Sequence, residues 1–435
     1  MTFDGLTHAH ERFDVPYRYP YHLGLFMAVN AIPGCYAVID GPDCLYRKSE
    51  WIHGKHDLCS TLLDAGARHR IVPTMMHSGE VIKAKGDAVQ SRLRRIAQLP
   101  EAELVLINSM PHVQIIGTQY DKVIAEVEAQ VPQPIIEVAS RALEGDWLDG
   151  YAEVLNSLAG RIPVTREPEP DSVAIIGLLM DRTEADHLAN VAELERCVRA
   201  LGLEPSSIWL SNRPFAELAR AGTAQTLVSL PHGRDAAEIL AKRSGARHLA
   251  IEQPFGLRGT IRMIRTLAKA TAREDRAEAF IEAELRELLP RFEWLVPSVL
   301  LGRTLAFSGD PTLFDGLLDG VRELGIDVAY LSAPARRPSH GCVLDEDDHG
   351  RVPPVTFAEP RTSVARHFME LDGQLDLIIG GTHTPLDEAQ RAPRMEFGFP
   401  SFFIHALHDS PFLGFRGWAW FVQTISNAVM ARPRV

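Results

Sequence analysis

Short apolar runs rich in β-branched residues alternate with amphipathic stretches of helical period from about Asp171 onward. A strand buried on both faces is apolar throughout, and a parallel crossover usually needs a helix, so this alternation predicts an α/β fold of parallel sheets flanked by helices. The strands predicted in this part are 172–177, 226–230, 304–308, 326–331 and 376–381. Capping residues predict helices over 186–202 and 232–245. They predict a third helix with Asp310 as its N-cap, Pro311 at its first position and Gly325 at its end.

The first part of the chain shows the same alternation, with strands predicted over 36–39, 70–72, 104–107 and 134–138. A chain of 435 residues is long enough for about three domains of ordinary size. Proline-bearing segments at 161–170 and 289–297 are natural boundaries, and we therefore predict domains over 1–165, 166–292 and 293–435. The acidic, proline-rich stretch 334–361 is predicted to be an exposed loop insertion.

The charge balance excludes several classes of partner. With 45 Lys and Arg against 57 Asp and Glu, the formal net charge is −12, which argues against a protein that coats nucleic acid or an anionic membrane. The N-terminus lacks the features of a signal peptide, and no apolar run approaches the length of a membrane span, so a cytoplasmic location is expected. Five cysteines, an odd number, do not suggest a disulfide framework.

Ligands of open parallel sheets bind beyond the carboxyl ends of the strands, so the turns that follow the predicted strands are the candidate binding segments. The candidate turns are 40–44, 108–117, 231–235, 253–260, 308–311 and 380–384. The chain contains neither GxxxxGK[ST] nor GxGxxG, and a site for ATP or NAD in this chain is therefore not expected.

Several segments of the chain match, in order, the conserved segments of one known family. PGCYAVIDGPDC (33–44) resembles the family's apolar strand and HGPxGC turn, and LVLINSMPHVQIIGTQYDKV (104–123) its strand, TTC turn and following helix. Near the end of the chain, 300–328 resembles the GKRVAVxGD strand and helix, and 397–429 resembles the closing GIP and PxxGYxG stretch. From about Tyr19 to Val429 the chain therefore resembles the nitrogenase component 1 family. This family includes dark-operative protochlorophyllide reductase and cofactor-assembly scaffolds.

This resemblance implies a subunit with three Rossmann-like domains that pairs with a like subunit, identical or different. It implies an iron–sulfur cluster at the subunit interface, of [4Fe-4S] type, with electrons supplied by a separate ATP-dependent iron–sulfur reductase. A small-molecule substrate would then lie in the cleft among the three domains, lined by turns around Gly233, Gly256, Gly381 and His405, with His408 close by.

The chain departs from the family at two cysteine positions. Arg18 stands at the first, and Met110 replaces the cysteine of the TTC turn, so that only Cys44 matches a family cluster ligand. Thiolates bind iron where hydroxyls and amides cannot, and Cys35 and Cys59 complete a hypothetical ligand set with Cys44. The alternative is that Cys35 and Cys59 are small core residues.

Other residues that could bind metal give weaker predictions. Asp40 or Asp43 could add a carboxylate ligand near Cys44. The histidines at 53, 56, 77 and 112 could bind metal or simply cap turns. Cys197 is predicted to be a packing residue and Cys342 to be exposed. The middle domain lacks the cysteine that anchors the large metal cofactor in catalytic nitrogenase subunits, which disfavours nitrogen reduction.

Three hypotheses follow from these residues. The chain is an oxidoreductase subunit that relays electrons through an iron–sulfur cluster, a scaffold that matures a metal cluster or a tetrapyrrole, or a cluster-free relative that binds a small molecule. The first two predict bound iron, whereas Arg18 and Met110 favour the third.

Overall fold

The computed structural model describes residues 14–64, 66–75, 87–114, 118–344, 352–386 and 390–431. Contacts divide the chain into two compact units. One unit comprises Met1–Tyr19, Ala192–Leu201 and Glu252–Val435, and the other comprises Pro20–Val191 and Gly202–Ile251. We call the first the C-terminal unit and the second the N-terminal unit.

Thirteen strands lie in the described residues and are numbered in chain order. They are β1 (Cys35–Asp40), β2 (Ile71–Pro73), β3 (Leu104–Ser109), β4 (Ile135–Glu137), β5 (Glu169–Ile176), β6 (Glu204–Ile208), β7 (Ala224–Ser229), β8 (Arg247–Ala250), β9 (Thr304–Ser308), β10 (Asp327–Ala333), β11 (Val355–Phe357), β12 (Leu377–Gly380) and β13 (Arg394–Glu396).

The α-helices of the described residues are numbered in the same way. They are α1 (Tyr21–Asn30), α2 (Leu45–Ser49), α3 (Asp87–Ile96), α4 (Pro111–Gln114), α5 (Tyr120–Glu128), α6 (Trp147–Arg161), α7 (Ala185–Ala200), α8 (Phe215–Ala219), α9 (Arg234–Ser244), α10 (Gly256–Thr271), α11 (Glu274–Phe292), α12 (Phe314–Glu323), α13 (Arg361–Glu370) and α14 (Gly414–Met430). None of them is long and apolar enough to cross a membrane.

The N-terminal unit contains two four-stranded sheets, in which every strand pair is parallel. Their strand orders are β2-β1-β3-β4 and β6-β5-β7-β8. In each sheet the chain starts at an inner strand, adds one neighbour, and then crosses to the other side of the first strand. The turns after β1 and β3 therefore lie next to each other, at the point where the strand order reverses and ligands of such sheets bind.

The C-terminal unit contains one five-stranded parallel sheet, in the order β11-β10-β9-β12-β13. Every residue of its central strand β9 except Thr304 is buried. The aromatic residues Phe255, Phe397, Trp418 and Phe421 pack around one another in this unit, with ring centroids 5.0–6.4 Å apart.

These sheets confirm the predicted α/β class, and every strand predicted from an apolar run is present, with its ends within three residues of the predicted ends. Asp310 caps its helical segment as expected, because its carboxylate accepts the Thr312 N–H at 2.9 Å. Two predictions were wrong. The stretch 334–361 is not simply a loop, since it contributes strand β11, and Cys342 is 6% exposed rather than on the surface. Burial raises the pKa of the Cys342 thiol to about 12.

Candidate functional site

The turn after β1 presents a cysteine at the carboxyl edge of the first sheet. All six residues of β1 are buried, and the chain emerges from the core at Asp40. Cys44 follows four residues later, immediately before α2, and is exposed. The Tyr46 N–H donates to the Asp43 carbonyl at 3.0 Å and closes the turn. The one cysteine that matches the family pattern therefore has a thiol that a second molecule can reach.

A buried carboxylate holds this turn in place. The Asp40 carboxylate accepts the Thr74 hydroxyl at 2.8 Å on Oδ1 and the Tyr120 hydroxyl at 2.7 Å on Oδ2. The Gly41 N–H in turn donates to the Thr74 hydroxyl oxygen at 3.0 Å. Both Asp40 oxygens are thus engaged within the protein, which argues against Asp40 as a metal ligand, whereas Asp43 is exposed.

Met110 lies beside the same turn. Its N–H donates to the Asp40 carbonyl at 3.0 Å, and a Cβ added at Gly41 would lie 2.5 Å from Met110 Cγ. The position that carries the TTC cysteine in the family is therefore next to the Cys44 turn in this fold, and a thioether occupies it here. Arg18, at the other replaced position, is exposed.

Cys35 belongs to the interior of the first sheet. It is fully buried, its thiol contacts the Tyr36 carbonyl at 3.8 Å, and burial raises its pKa to about 12 despite the nearby Arg70. It begins β1, while Cys44 lies beyond the other end of that strand, which spans about 16 Å. Thiols so far apart do not bind one cluster, and burial supports the alternative of a core residue for Cys35.

Cys59 is exposed, so the alternative of a core residue is wrong for this position. Its N–H donates to the Asp57 carboxylate at 2.9 Å, and burial together with Asp57 and Glu184 raises the pKa of its thiol. Within the described ranges, no group of three or more His, Cys, Asp or Glu side chains is arranged to hold a metal ion. Cys35, Cys44 and Cys59 therefore do not form a ligand set by themselves, and ligand roles for Cys44 and Cys59 stay predictions.

A buried ion cluster in the N-terminal unit was not found from the sequence. His187 contacts Asp181 Oδ1 through Nε2 at 2.7 Å and Asp186 Oδ1 through Nδ1 at 3.0 Å. His56 Nε2 lies 3.4 Å from Asp181, and the Arg182 Nε donates to Asp186 at 3.0 Å. All five residues are buried, with at most 8% of each residue's surface exposed. The sequence signal for this cluster is the dense run of charges DRTEADH (181–187), which is separated from the end of β5 by four residues.

This ion cluster fixes the segment that carries Cys59. The Asp57 carboxylate accepts the Thr183 N–H at 2.8 Å and the Thr183 hydroxyl at 2.9 Å. The Leu58 N–H donates to Glu184 at 3.0 Å. Residues 56, 57 and 58 are therefore each in contact with the loop that follows β5. In this arrangement His56, one of the histidines that could bind metal or cap a turn, contacts Asp181. His77, by contrast, lies outside the described residues.

Two glycines predicted to line the substrate cleft, Gly381 and Gly256, have local reasons to be glycine. A Cβ at Gly381 would lie 2.7 Å from the Pro400 carbonyl oxygen, although Gly381 also borders a cavity. Gly256 has a φ of +77° at the start of α10, a conformation that favours glycine. His405 contacts the Phe402 carbonyl at 3.3 Å, and His408 is exposed on the same loop. Of these four positions, Gly381 borders the cavity that Thr382 and Glu396 also line, and the shared cleft stays a prediction.

Comparison with known proteins identifies relatives along nearly the whole chain. The family profile described as nitrogenase component 1 type oxidoreductase matches residues 21–430. The nitrogenase vanadium-iron protein beta chain of Trichormus variabilis is 20% identical over 430 residues, covering 91% of each chain. The nitrogenase iron-molybdenum cofactor biosynthesis protein NifN of Rhodobacter capsulatus is 22% identical and covers 83% of this chain and 81% of its own.

A third relative and a solved structure complete the comparison. Subunit N of the light-independent protochlorophyllide reductase of Rhodospirillum rubrum is 25% identical over 243 residues, covering 56% of this chain and 51% of its own. The structure described as nitrogenase Cp1 at pH 6.5 superposes with a TM-score of 0.78 at 16% identity, covering 96% of this chain and 93% of its own. This structural similarity concerns the fold.

Proposed function

The chain belongs to the nitrogenase component 1 type oxidoreductase family, and on this premise we propose that it is the single-thiolate subunit of an asymmetric oxidoreductase pair. It receives low-potential electrons from an ATP-dependent iron–sulfur reductase and passes them to a small-molecule substrate. Cys44 is this chain's ligand to an iron–sulfur cluster of [4Fe-4S] type, and a like subunit supplies the other ligands. When bound, such a cluster relays single electrons.

The observation that carries this proposal is the exposed Cys44 thiol at the reversal point of the first sheet. A cluster of this type needs about four ligands, usually thiolates, and this chain assembles no such set in its described residues. An exposed thiol on a well-held turn is nevertheless available to a cluster shared with a second chain. The names of the relatives, which include a beta chain and a subunit N, support a paired assembly.

The chain's own residues have a positioning role in this proposal. Asp40 joins the end of β1 to Thr74 beyond β2 and to Tyr120 at the start of α5. These two hydrogen bonds fix where the turn leaves the sheet and therefore where the Cys44 thiol lies. Gly41 is needed because any side chain there would collide with Met110.

A second candidate function is a scaffold that receives a metal cluster or a tetrapyrrole and passes it to another protein. The relative named as a cofactor biosynthesis protein favours it. An enzyme retains its cluster and consumes reductant, whereas a scaffold loses bound iron to an acceptor protein. A cluster-free relative that binds only a small molecule is the third candidate, and iron content separates it from the other two.

We expect Cys44→Ser to lower the iron and acid-labile sulfide of the assembled complex at least twofold, because a hydroxyl is a poor ligand for iron in such clusters. The complex would be purified anaerobically from its host through a tag on this chain, and both elements measured per complex. Cys59→Ser is the matched control, since Cys59 is also exposed but lies outside the family pattern. Its iron content is expected to equal that of the native complex.

Two results would contradict the proposal. Equal iron in the Cys44→Ser and native complexes would remove Cys44 from the ligand set. Absence of iron from the native complex, with its partner subunit present, would rule out both the electron-transfer and the metal-scaffold functions and favour the cluster-free alternative.

A further inference from the structure

A small cavity opens at the carboxyl ends of β3 and β4 in the N-terminal unit. Its volume is about 200 Å³, below the roughly 300–1,000 Å³ of pockets that take drug-sized ligands. Among the described residues that line it, the only charged side chain is that of Glu137, and Val113 and Val138 give the wall an apolar part. The size and the charge of this lining suit a small cation with a short carbon chain.

Glu137 supplies an unpaired carboxylate to the cavity. It is the last residue of β4, it can be reached from solvent, and it forms no hydrogen bond or ion pair with any residue in the described ranges. Its pKa is raised by its partial burial and by the neighbouring Asp121 carboxylate, since both disfavour its negative charge. A cation bound beside Glu137 would offset both effects.

The other polar groups of the wall offer mainly hydrogen-bond acceptors. The Tyr120 hydroxyl donates its hydrogen to Asp40 Oδ2 at 2.7 Å, and the Ser140 hydroxyl donates its hydrogen to the Ser109 carbonyl. Gln114 Nε2 donates to the Ser140 carbonyl at 2.5 Å. Because these hydrogens are already used within the protein, the hydroxyl oxygens keep lone pairs for a ligand. A ligand rich in donors therefore matches this wall.

A buried hydroxyl at the cavity also lacks a partner. Ser109 borders the cavity and is 3% exposed, and its hydroxyl forms no hydrogen bond within the part of the chain that the structure describes. Its side chain lies on the same face of the sheet as that of Glu137, because β4 pairs Glu137 with Ile107 and Ser109 is two positions further along β3. A ligand that bonds both groups would satisfy this hydroxyl, which is costly to leave unpaired.

We propose that this cavity binds the ammonium group of a small primary amine. The three N–H groups of the ammonium donate to the Glu137 carboxylate and to the hydroxyl oxygens of Ser109 and Tyr120. The short carbon chain of the amine packs against Val113 and Val138.

Two other classes of ligand fit this cavity less well. The first turn of α5 borders the cavity, but an anion there would be repelled by Glu137 and Asp121. Within the described ranges, no three His, Cys, Asp or Glu side chains are placed to hold a metal ion. The inference goes beyond the proposed electron transfer and does not depend on it, because none of the described residues that line the cavity is a cysteine.

Two isomeric amines separate the donors of the ligand from its charge. Propylamine and trimethylamine are both cations at neutral pH and contain the same atoms, but the first has three N–H donors and the second has one. Propionate carries the opposite charge. Each probe is titrated into the full-length chain, with or without bound iron, at constant ionic strength, and binding is followed by the NMR line width of its methyl signal.

We expect propylamine to bind about tenfold more tightly than trimethylamine, and propionate not to bind. Equal affinities of the two amines, or no propylamine binding at millimolar concentration, would overturn the proposal. Displacement of propylamine by an equal concentration of magnesium chloride would overturn it in favour of a metal site.

Glu137→Gln is the decisive variant, because the amide keeps the size of the side chain and removes its charge. Propylamine affinity is expected to fall at least tenfold, while the melting temperature does not fall below the native value. Ser109→Ala should weaken propylamine about threefold, which tests the buried hydroxyl. Glu50→Gln is the matched control, since Glu50 is an exposed carboxylate outside the cavity. Unchanged binding in Glu137→Gln, or an equal loss in Glu50→Gln, would refute the site.

Discussion

Arg70→Met is expected to lower the free energy of unfolding of the N-terminal unit by about 3–5 kcal/mol, or to prevent soluble expression. Arg70 is only 7% exposed and makes six hydrogen bonds. Its guanidinium donates to the carbonyls of Val29 at 2.6 Å, Ile32 at 2.9 Å, Cys35 at 2.9 Å, Asn30 at 3.3 Å and Thr61 at 3.0 Å, and to the Thr61 hydroxyl at 2.7 Å. Methionine fills a similar volume but leaves these acceptors unpaired.

The position of these acceptors explains why the loss is large. Asn30 ends α1 and Cys35 begins β1, so Arg70 satisfies carbonyls at the end of a buried helix and at the start of the central strand. An unpaired buried acceptor costs about 1–3 kcal/mol, and several are created together. Arg70→Lys should be intermediate, because an ammonium group has three donors and cannot reproduce the planar fork.

Arg68→Met is the matched control for Arg70→Met. Arg68 is exposed and pairs with Asp64 and Glu101 on the surface, at 2.8 and 2.7 Å. Surface pairs contribute little to stability, so its melting temperature should stay close to the native value. Urea unfolding followed by circular dichroism compares the three variants with the native chain. Similar losses for Arg68→Met and Arg70→Met would show that burial of the guanidinium is not the cause.

The inner strands could be predicted from the sequence because burial on both faces makes them continuous apolar runs. The strands that were missed, β6, β8, β11 and β13, are all at sheet edges. β6 contains Pro205, which an edge tolerates because one side of the strand needs no hydrogen-bond donor. β8 is partly exposed along its length and lacks an apolar run. The edge strands β2 and β4 were nevertheless predicted, because each contains two adjacent β-branched apolar residues, a pair that the missed edge strands lack.

The sequence predicts the environment of a cysteine only where a local motif marks the position. The DGPDC turn identified Cys44, but the burial of Cys342 depends on Asp315, whose carboxylate accepts the N–H groups of Val343 and Leu344 at 2.9 Å. The exposure of Cys59 depends in the same way on the anchored Asp57. These partners are 27 or more residues apart, and sequence spacing does not reveal such contacts.

The second large effect is a dependence of stability on pH that arises from His187. Burial alone would lower the pKa of His187, but Asp181 and Asp186 raise it to about 10 from an ordinary value near 6.5. The folded state therefore holds a proton that the unfolded chain releases between pH 6.5 and 10. The stabilisation is complete below pH 6.5 and is lost as the pH rises towards 10, with a slope of up to about 1.4 kcal/mol per pH unit.

The carboxylates of Asp181 and Asp186 set the lower pH limit of this stabilisation. Burial would raise the pKa values of Asp181 and Asp186, but His187 and its neighbours hold both below the ordinary value of 3.8. Their contribution is present above pH 3.8 and is lost as the pH falls further. We therefore expect the ion cluster to stabilise the N-terminal unit most strongly between about pH 4 and pH 6.5.

His187→Gln tests this origin of the pH dependence. Glutamine carries no proton to lose and leaves two buried carboxylates without their shared cation, so the variant should be about 3–5 kcal/mol less stable than the native chain at pH 6.5. The difference should shrink as the pH rises towards 10, because native His187 itself begins to lose its proton there. His408→Gln, at an exposed histidine, should keep the native slope. The free energy of urea unfolding, measured from pH 6 to 10, gives both the loss of stability at pH 6.5 and the slope of stability with pH.

The double variant Asp181→Asn with His187→Gln separates charge balance from shape. Both side chains are then neutral and can still hydrogen-bond, so part of the loss at pH 6.5 should be recovered relative to His187→Gln alone. The same slope in the native chain and in His187→Gln would assign the pH dependence to another group. Because Asp57 and Glu184 tie the cluster to the Leu58–Cys59 segment, loosening the cluster should also speed alkylation of the Cys59 thiol.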